Sequence, residues 1–154
     1  MADSKRQKIV DAVIARMKLI NGAGSYTTDV NDHVEDSRTN WQEDELPAIS
    51  VFDGDAASNL TSPAEAKSDV HEMSILIKGF TVQGTTAAAC RTLMKDILTA
   101  IRQDTKWIVS GVPTAMQTRP GREAISREKD SFEVEGCEVE IIVQYITQKF
   151  NAES

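Results

Sequence analysis

Several short stretches of this sequence hold residue types that do chemistry, and each lacks an atom that the chemistry needs. Gly79-Phe-Thr-Val-Gln-Gly84-Thr85-Thr86 has the glycine spacing of a phosphate-binding loop and lies between an expected strand and an expected helix, the context such a loop requires. Position 85 is Thr where the lysine that reaches the phosphates should stand. The segment therefore reads as a strand-to-helix turn in which Thr85 or Thr86 caps the helix. Asp29-Val-Asn31-Asp32-His33 begins like a calcium loop. Its sixth position is Val34 where Gly makes the sharp turn, and its twelfth is Asn40 where a Glu would bind through both oxygens. Asp53-Gly54-Asp55 reads as a turn. His71-Glu72 opens like a zinc-protease motif, but the second histidine position is Ile75. The surrounding residues also read as a strand, where side chains four apart do not converge as they do on a helix.

The remaining reactive residues are few. His33 and His71, the only histidines, each lie near acidic residues in extended segments and read as ordinary surface residues. Cys90 falls on an expected helix and Cys137 on an expected strand, outside any close-spaced pair. They read as small buried apolar residues in a reducing, cytosolic setting. No G-x-S-x-G elbow is present, and no pair of carboxylates is singled out for acid–base work. The expectation is a protein that is not an enzyme, with no catalytic, cofactor-binding or metal residues to nominate and no cofactor.

The bulk numbers fit that expectation. A chain of 154 residues, 40% hydrophobic and 27% charged, suits one domain over 1–154 with its own core. The net charge of −7 opposes tight wrapping of nucleic acid, which depends on Lys and Arg neutralising phosphates. The Met-Ala-Asp-Ser-Lys-Arg start lacks the apolar run of a signal peptide, and no run approaches the roughly 18 apolar residues of a membrane span.

The elements that would position these residues follow from periodicity. Ile9, Val10, Val13, Ile14, Met17 and Ile20 form one stripe of a helix over 4–20, with Ser4 as N-cap and Asn21-Gly22 as stop. Residues 25–34 look extended, and 35–45 read as a polar loop or edge segment. Within it Trp41 is either a plug into the core or a partner contact. Residues 46–52 form a short strand, which Pro47 marks as an edge or a strand start. A long polar loop is expected over 53–69 and a strand over 70–80, with Met73, Ile75 and Ile77 on one face.

Residues 86–103 form the second helix, with Ala87, Cys90, Leu93, Met94, Ile97, Leu98 and Ile101 inward. A short strand at 107–109 precedes a second long polar loop over 110–131. Residues 132–147 alternate most clearly: Cys137, Val139, Ile141, Val143 and Tyr145 on one face, Glu138, Glu140, Ile142 and Gln144 on the other. Gly136 marks a bulge. Strands and helices mix without βαβ alternation, so the expected fold is α+β. It has a mostly antiparallel mixed sheet of about four to six strands, with two main helices packed on one face.

A wider pattern runs through these pieces. An amphipathic helix leads to Gly-Ala-Gly-Ser-Tyr26-Thr-Thr-Asp-Val30, then to Glu45-Leu46-Pro47-Ala48-Ile49-Ser-Val51-Phe52-Asp-Gly-Asp. A strand with Ile75, Leu76 and Ile77 precedes Leu93-Met-Lys-Asp96-Ile97-Leu98-Thr-Ala-Ile101, then Asp104 and Trp107. An acidic last strand ends Val143-Gln-Tyr145-Ile-Thr147. In this order the chain resembles the tail terminator proteins of long-tailed bacteriophages, the group that includes the lambda-type minor tail protein U.

The resemblance implies a subunit of a hexameric ring that caps the tail tube and ends its polymerisation. Its partners would be further copies of itself, the tail tube protein and a head-completion or neck protein. Its place would be the virion, at the neck of the tail, after assembly in the host cytoplasm. DNA would pass through an acidic lumen without specific binding, and no membrane would be involved. The expected contact residues are Trp41 in the polar segment 35–45, Asn59 and Leu60 in the first long loop, Arg119 and Arg122 in the second, and Ile142 and Ile146 on the last strand. The rival expectations are another head–tail connector or tail-tube protein, a protein-binding adaptor outside phages, and a small nucleotide-binding or enzymatic domain.

Overall fold

The structure, a computed structural model, describes residues 3–58, 67–82, 87–127 and 134–148. Helix α1 spans Lys5–Met17 and starts where the Ser4 hydroxyl accepts the Gln7 N–H at 3.1 Å. Ile9, Val10, Val13 and Met17 bury its apolar stripe, and Ile20 follows them into the core. Strand β1 (Val34–Asp36) and a single 3-10 turn (Glu43–Glu45) lead to β2 (Ala48–Ser58) and β3 (Ser68–Phe80). Helix α2 spans Ala87–Gln103. The short strands β4 (Ile108–Val109) and β5 (Val112–Pro113) follow, and then β6 (Gln117–Arg127) and β7 (Val134–Gln148).

The main sheet has the order β1-β2-β3-β7-β6. Only β1 runs parallel to its neighbour, and the other pairings are antiparallel. β4 and β5 make a separate two-stranded sheet. The expected α+β class with a mostly antiparallel sheet is what the chain adopts. Met73, Ile75 and Ile77 of β3, and Cys137, Val139, Ile141, Val143 and Tyr145 of β7, are buried as their alternation requires. They share one core cluster with the apolar stripes of α1 and α2. α1 packs against β1 and β2, and α2 mainly against β7.

Several expectations are corrected. Residues 25–33 form no strand. Their backbone turns at Asn31 and Asp32, both with positive φ, and the N–H groups of Thr27 and Thr28 point to the Asp96 carboxylate instead of a neighbouring strand. The loop expected at 53–69 is mostly strand at its ends, because β2 continues to Ser58 and β3 begins at Ser68. A register shift between Asp53 and Ala56 makes Asp53-Gly54-Asp55 a bulge within β2 and not a turn between elements. The loop expected at 110–131 contains β5 and the whole of β6. Pro120 and Gly121 are accommodated by a second register shift, between Pro120 and Glu123. Pro47 stands just before β2, a central strand, so it marks a strand start and not an edge.

Gly136 sits at the expected bulge, where the register jumps from Ser126 opposite Gly136 to Arg127 opposite Val134. A Cβ there would lie 1.8 Å from the Gly79 carbonyl oxygen, so close strand approach demands glycine.

Candidate interaction surfaces

The most exposed apolar surface is built by the short hairpin after α2. Asp104 anchors its base: its carboxylate accepts the backbone N–H groups of Lys106 at 3.2 Å and Ile108 at 2.9 Å, and pairs with Arg16 at 3.5 Å. Trp107 is fully buried, and its indole N–H donates to the Thr118 hydroxyl at 2.9 Å, which donates on to the Thr105 carbonyl at 2.6 Å. Ser110 and Gly111 turn the chain with φ of 50° and 79°, the left-handed pair that suits a two-residue hairpin turn.

This rigid base presents Ile108, Val109 and Val112 outward, and Val112 is 62% exposed. Leu19 of the segment after α1 lines one groove with Ile108 and Val109, and Met116 is likewise exposed. Exposed apolar groups gathered on an ordered frame mark a contact surface more often than scattered ones do. Sequence reading placed a short strand at 107–109 but missed this surface. The signal was present as Ile108-Val-Ser-Gly-Val112, a turn dipeptide flanked by apolar residues.

The outer face of the main sheet, opposite the core, forms a second surface. The register places Ser74, Ile142 and Arg119 in one row and Glu72, Gln144 and Gln117 in the next. Arg119 reaches across β7 to Glu72 with two hydrogen bonds of 2.6 Å, so this expected contact residue is engaged within its own chain. That fork holds the Glu72 carboxyl below its ordinary range. Ile142 and Ile146 are half-buried on this face, as the alternation expected. Arg122 is exposed on β6.

Trp41 also lies on the outer side and is not a core plug. Its indole N–H donates to Ser50 at 2.8 Å, and the Arg38 guanidinium lies 4.0 Å over its ring. Asn59 and Leu60 fall outside the described residues, as do Gly84, Thr85 and Thr86.

A third surface is the groove between α2 and β6. Leu98, Ile101, Pro120, Val139 and Ile141 line it, with Arg102 and Glu123 on its walls.

The histidines and cysteines singled out for chemistry are drawn into the fold's own contacts. Neither histidine is an ordinary surface residue. His33 is half-buried with Nδ1 2.6 Å from the Glu45 carbonyl, and His71 stacks on Tyr145 with Nε2 2.8 Å from the Thr147 hydroxyl. Cys90 and Cys137 are buried free thiols, as expected, and burial pushes Cys137 up to about 12. Asp96, read only as part of a helix, is fully buried and holds the 27–28 backbone. Among the described residues no three His, Cys, Asp or Glu side chains are grouped to hold a metal ion, and no helix is long and apolar enough to cross a membrane.

The chain matches no protein-family model and no curated protein sequence.

Proposed function

We propose that this chain is a structural virion protein of the tail-terminator kind: a subunit that joins further copies in a ring, caps the tail tube and meets the head-completion protein. The observation that carries the reading is the apolar hairpin surface of Ile108, Val109 and Val112, held on the Asp104 and Trp107 hydrogen bonds. A preordered apolar surface loses little entropy on docking, which suits a protein that works by contact. The order of elements that resembles tail terminators supplies the kind of neighbour: tube on one side, neck on the other. The ring has six members, sits at the neck of the virion and is assembled in the host cytoplasm. Its acidic charge lets DNA pass without specific binding.

The test is electron microscopy of the purified protein, alone and added to growing tail tubes. Short six-fold rings and arrest of tube growth are expected. Ile108→Asp and Val112→Asp should leave the fold intact and abolish arrest. Long stacked tubes of the protein itself would identify a tube protein instead. A monomer that leaves tube length unchanged would overturn the reading.

A further inference from the structure

The two edges of the main sheet carry opposite charge. At the β1 edge, residues 29–45 hold seven acidic side chains and one basic one. Arg38 is committed to Glu35 and Glu45 within that segment. Asp32, Asp36, Glu43 and Asp44 are exposed and have no cation partner among the described residues. α1 lies over this half of the sheet; Arg6 and Arg16 pair with Asp53 and Asp104, and Lys5 donates to the Ile146 carbonyl, which leaves Lys8 and the C-cap Lys18 as its cations outside an ion pair among the described residues.

The far edge is the reverse. β6 closes the sheet there, and α2 packs on β7 beside it. Arg91, Lys95 and Arg102 recur at helical spacings of four and seven, which puts them within one narrow stripe of α2, on the solvent side opposite its buried Leu93, Ile97 and Ala100. Together with Arg122 of β6 they are exposed and unpaired among the described residues. Arg102 stands on the wall of the groove whose floor is Leu98, Ile101, Pro120, Val139 and Ile141. The free charge at the β1 edge is thus mainly acidic (Asp29, Asp32, Asp36, Glu43 and Asp44), and at the α2–β6 end Arg91, Lys95, Arg102 and Arg122 outnumber Glu123, the exposed acid on the groove wall.

We propose that neighbouring copies of this chain meet edge to edge, the acidic β1 edge of one seated against the α2–β6 edge of the next. The partner is a second copy because the same chain supplies both halves of the match. A two-fold contact centred on either edge would set like charges together, whereas a head-to-tail contact sets the α2 and β6 cations near the free acids of the β1 edge. Head-to-tail contacts between two different surfaces propagate, and close into a ring when the rotation allows. The apolar groove floor gives the contact an area to remove from water, and the charges fix its direction. β6 also presents an open strand edge there, which a neighbour would cover. This inference rests on the ring reading and names the surfaces that make it.

Charge reversal on each edge separately tests it. One full-length variant carries Arg91→Glu, Lys95→Glu and Arg102→Glu, and another carries Asp36→Lys, Glu43→Lys and Asp44→Lys. All six positions are exposed, and circular dichroism and the melting temperature confirm folding. Sedimentation at low salt should show assembly of the wild type. For either variant alone, the concentration at half-assembly should rise about 100-fold or more. Mixing the two variants should restore assembly, because each supplies the edge that the other now matches. Assembly of the wild type should weaken as salt shortens the screening length.

Variants that assemble like the wild type would overturn the edge contact and leave the ring reading standing. Failure of the mixture to recover would overturn the head-to-tail pairing. A wild type that stays monomeric while binding short duplex DNA through the α2 cations would overturn both. If the double-reversed chain folds, its self-assembly gives a second check that needs no mixing.

Discussion

The carboxylate of Asp96 accepts the backbone N–H of Thr28 at 2.7 Å, and of Thr27 at 3.2 Å, from inside the core. A helix residue thereby ends two backbone donors of a distant segment that has no strand to pair with. Without it the part-buried N–H groups of Thr27 and Thr28 would lose their protein acceptor. Asp96→Asn puts an amide N–H where an acceptor is needed on one side. It should cost about 1.5–3 kcal/mol in urea unfolding. The Thr27 and Thr28 amides should exchange hydrogen faster than those of β3. Unchanged exchange at these two amides would show that the carboxylate does not hold them.

Gly136 of β7 pairs with Phe80 of β3, one residue past Gly79, which pairs with Cys137. A Cβ on Gly136 would meet the Gly79 carbonyl oxygen at 1.8 Å, a backbone atom that yields only if the strands separate. A Cβ on Gly79 would meet the end of Leu93 at 2.6 Å and Cys137 Sγ at 3.0 Å, side-chain atoms that can shift. Gly79→Ala should therefore fall within the usual overpacking range of about 1–3 kcal/mol, and Gly136→Ala should exceed it. Denaturant midpoints of the two variants rank the effects directly, and a larger loss for Gly79→Ala would contradict the strand approach.

The contrast between β7 and β6 shows what the sequence could reveal. β7 is buried on one face and half-buried on the other, so Cys137 to Tyr145 alternate visibly. β6 is an edge strand whose Gln117, Arg119, Pro120, Gly121, Arg122 and Glu123 are exposed. No burial pattern marks it, and Pro-Gly reads as a break although a bulge absorbs it. The role of Asp96 was hidden for another reason: its partners lie 68 and 69 residues away. The contact residues were legible only in part. Ile142 and Ile146 follow from alternation, whereas the engagement of Arg119 with Glu72 depends on a register across three strands that no local pattern states.

The Thr118 hydroxyl serves two groups at once, accepting the Trp107 indole N–H and donating to the Thr105 carbonyl. Thr118→Val keeps the shape and leaves the buried indole N–H without a partner. A loss of about 1–3 kcal/mol is expected, with Thr118→Ser close to wild type. Apolar hairpin contacts should weaken with it, since Trp107 is the root of β4. If Val and Ser prove equally stable, the hydroxyl does not hold the hairpin.

Burial, reinforced by the neighbouring Cys90, raises the Cys137 thiol from 9.0 to about 12. The folded chain therefore keeps this proton more tightly than the unfolded chain. The stability that the buried thiol contributes is complete below pH 9.0 and is lost as pH climbs toward about 12. Wild type should lose stability over that window faster than Cys137→Ala, by chemical unfolding at stepped pH. Native Cys137 should also react with a thiol reagent only at the rate at which the chain opens. Rapid labelling of the folded protein would place the thiol at the surface.

At the acid end the pair to watch is Arg119 and Glu72. The guanidinium fork lowers the Glu72 carboxyl from 4.5, chiefly through its hydrogen bonds, against a smaller opposing effect of desolvation. A depressed carboxyl favours the folded state above 4.5, and that contribution disappears as pH falls through its folded value. Carbon-detected titration of Glu72 should give a midpoint below 4.5 in the wild type and a return toward it in Arg119→Ala. Because the pair is exposed on the outer face, raised salt should shrink the difference. Should Glu72 titrate identically in both proteins, Arg119 is free, and it then rejoins Arg122 as a cation available to a neighbouring subunit.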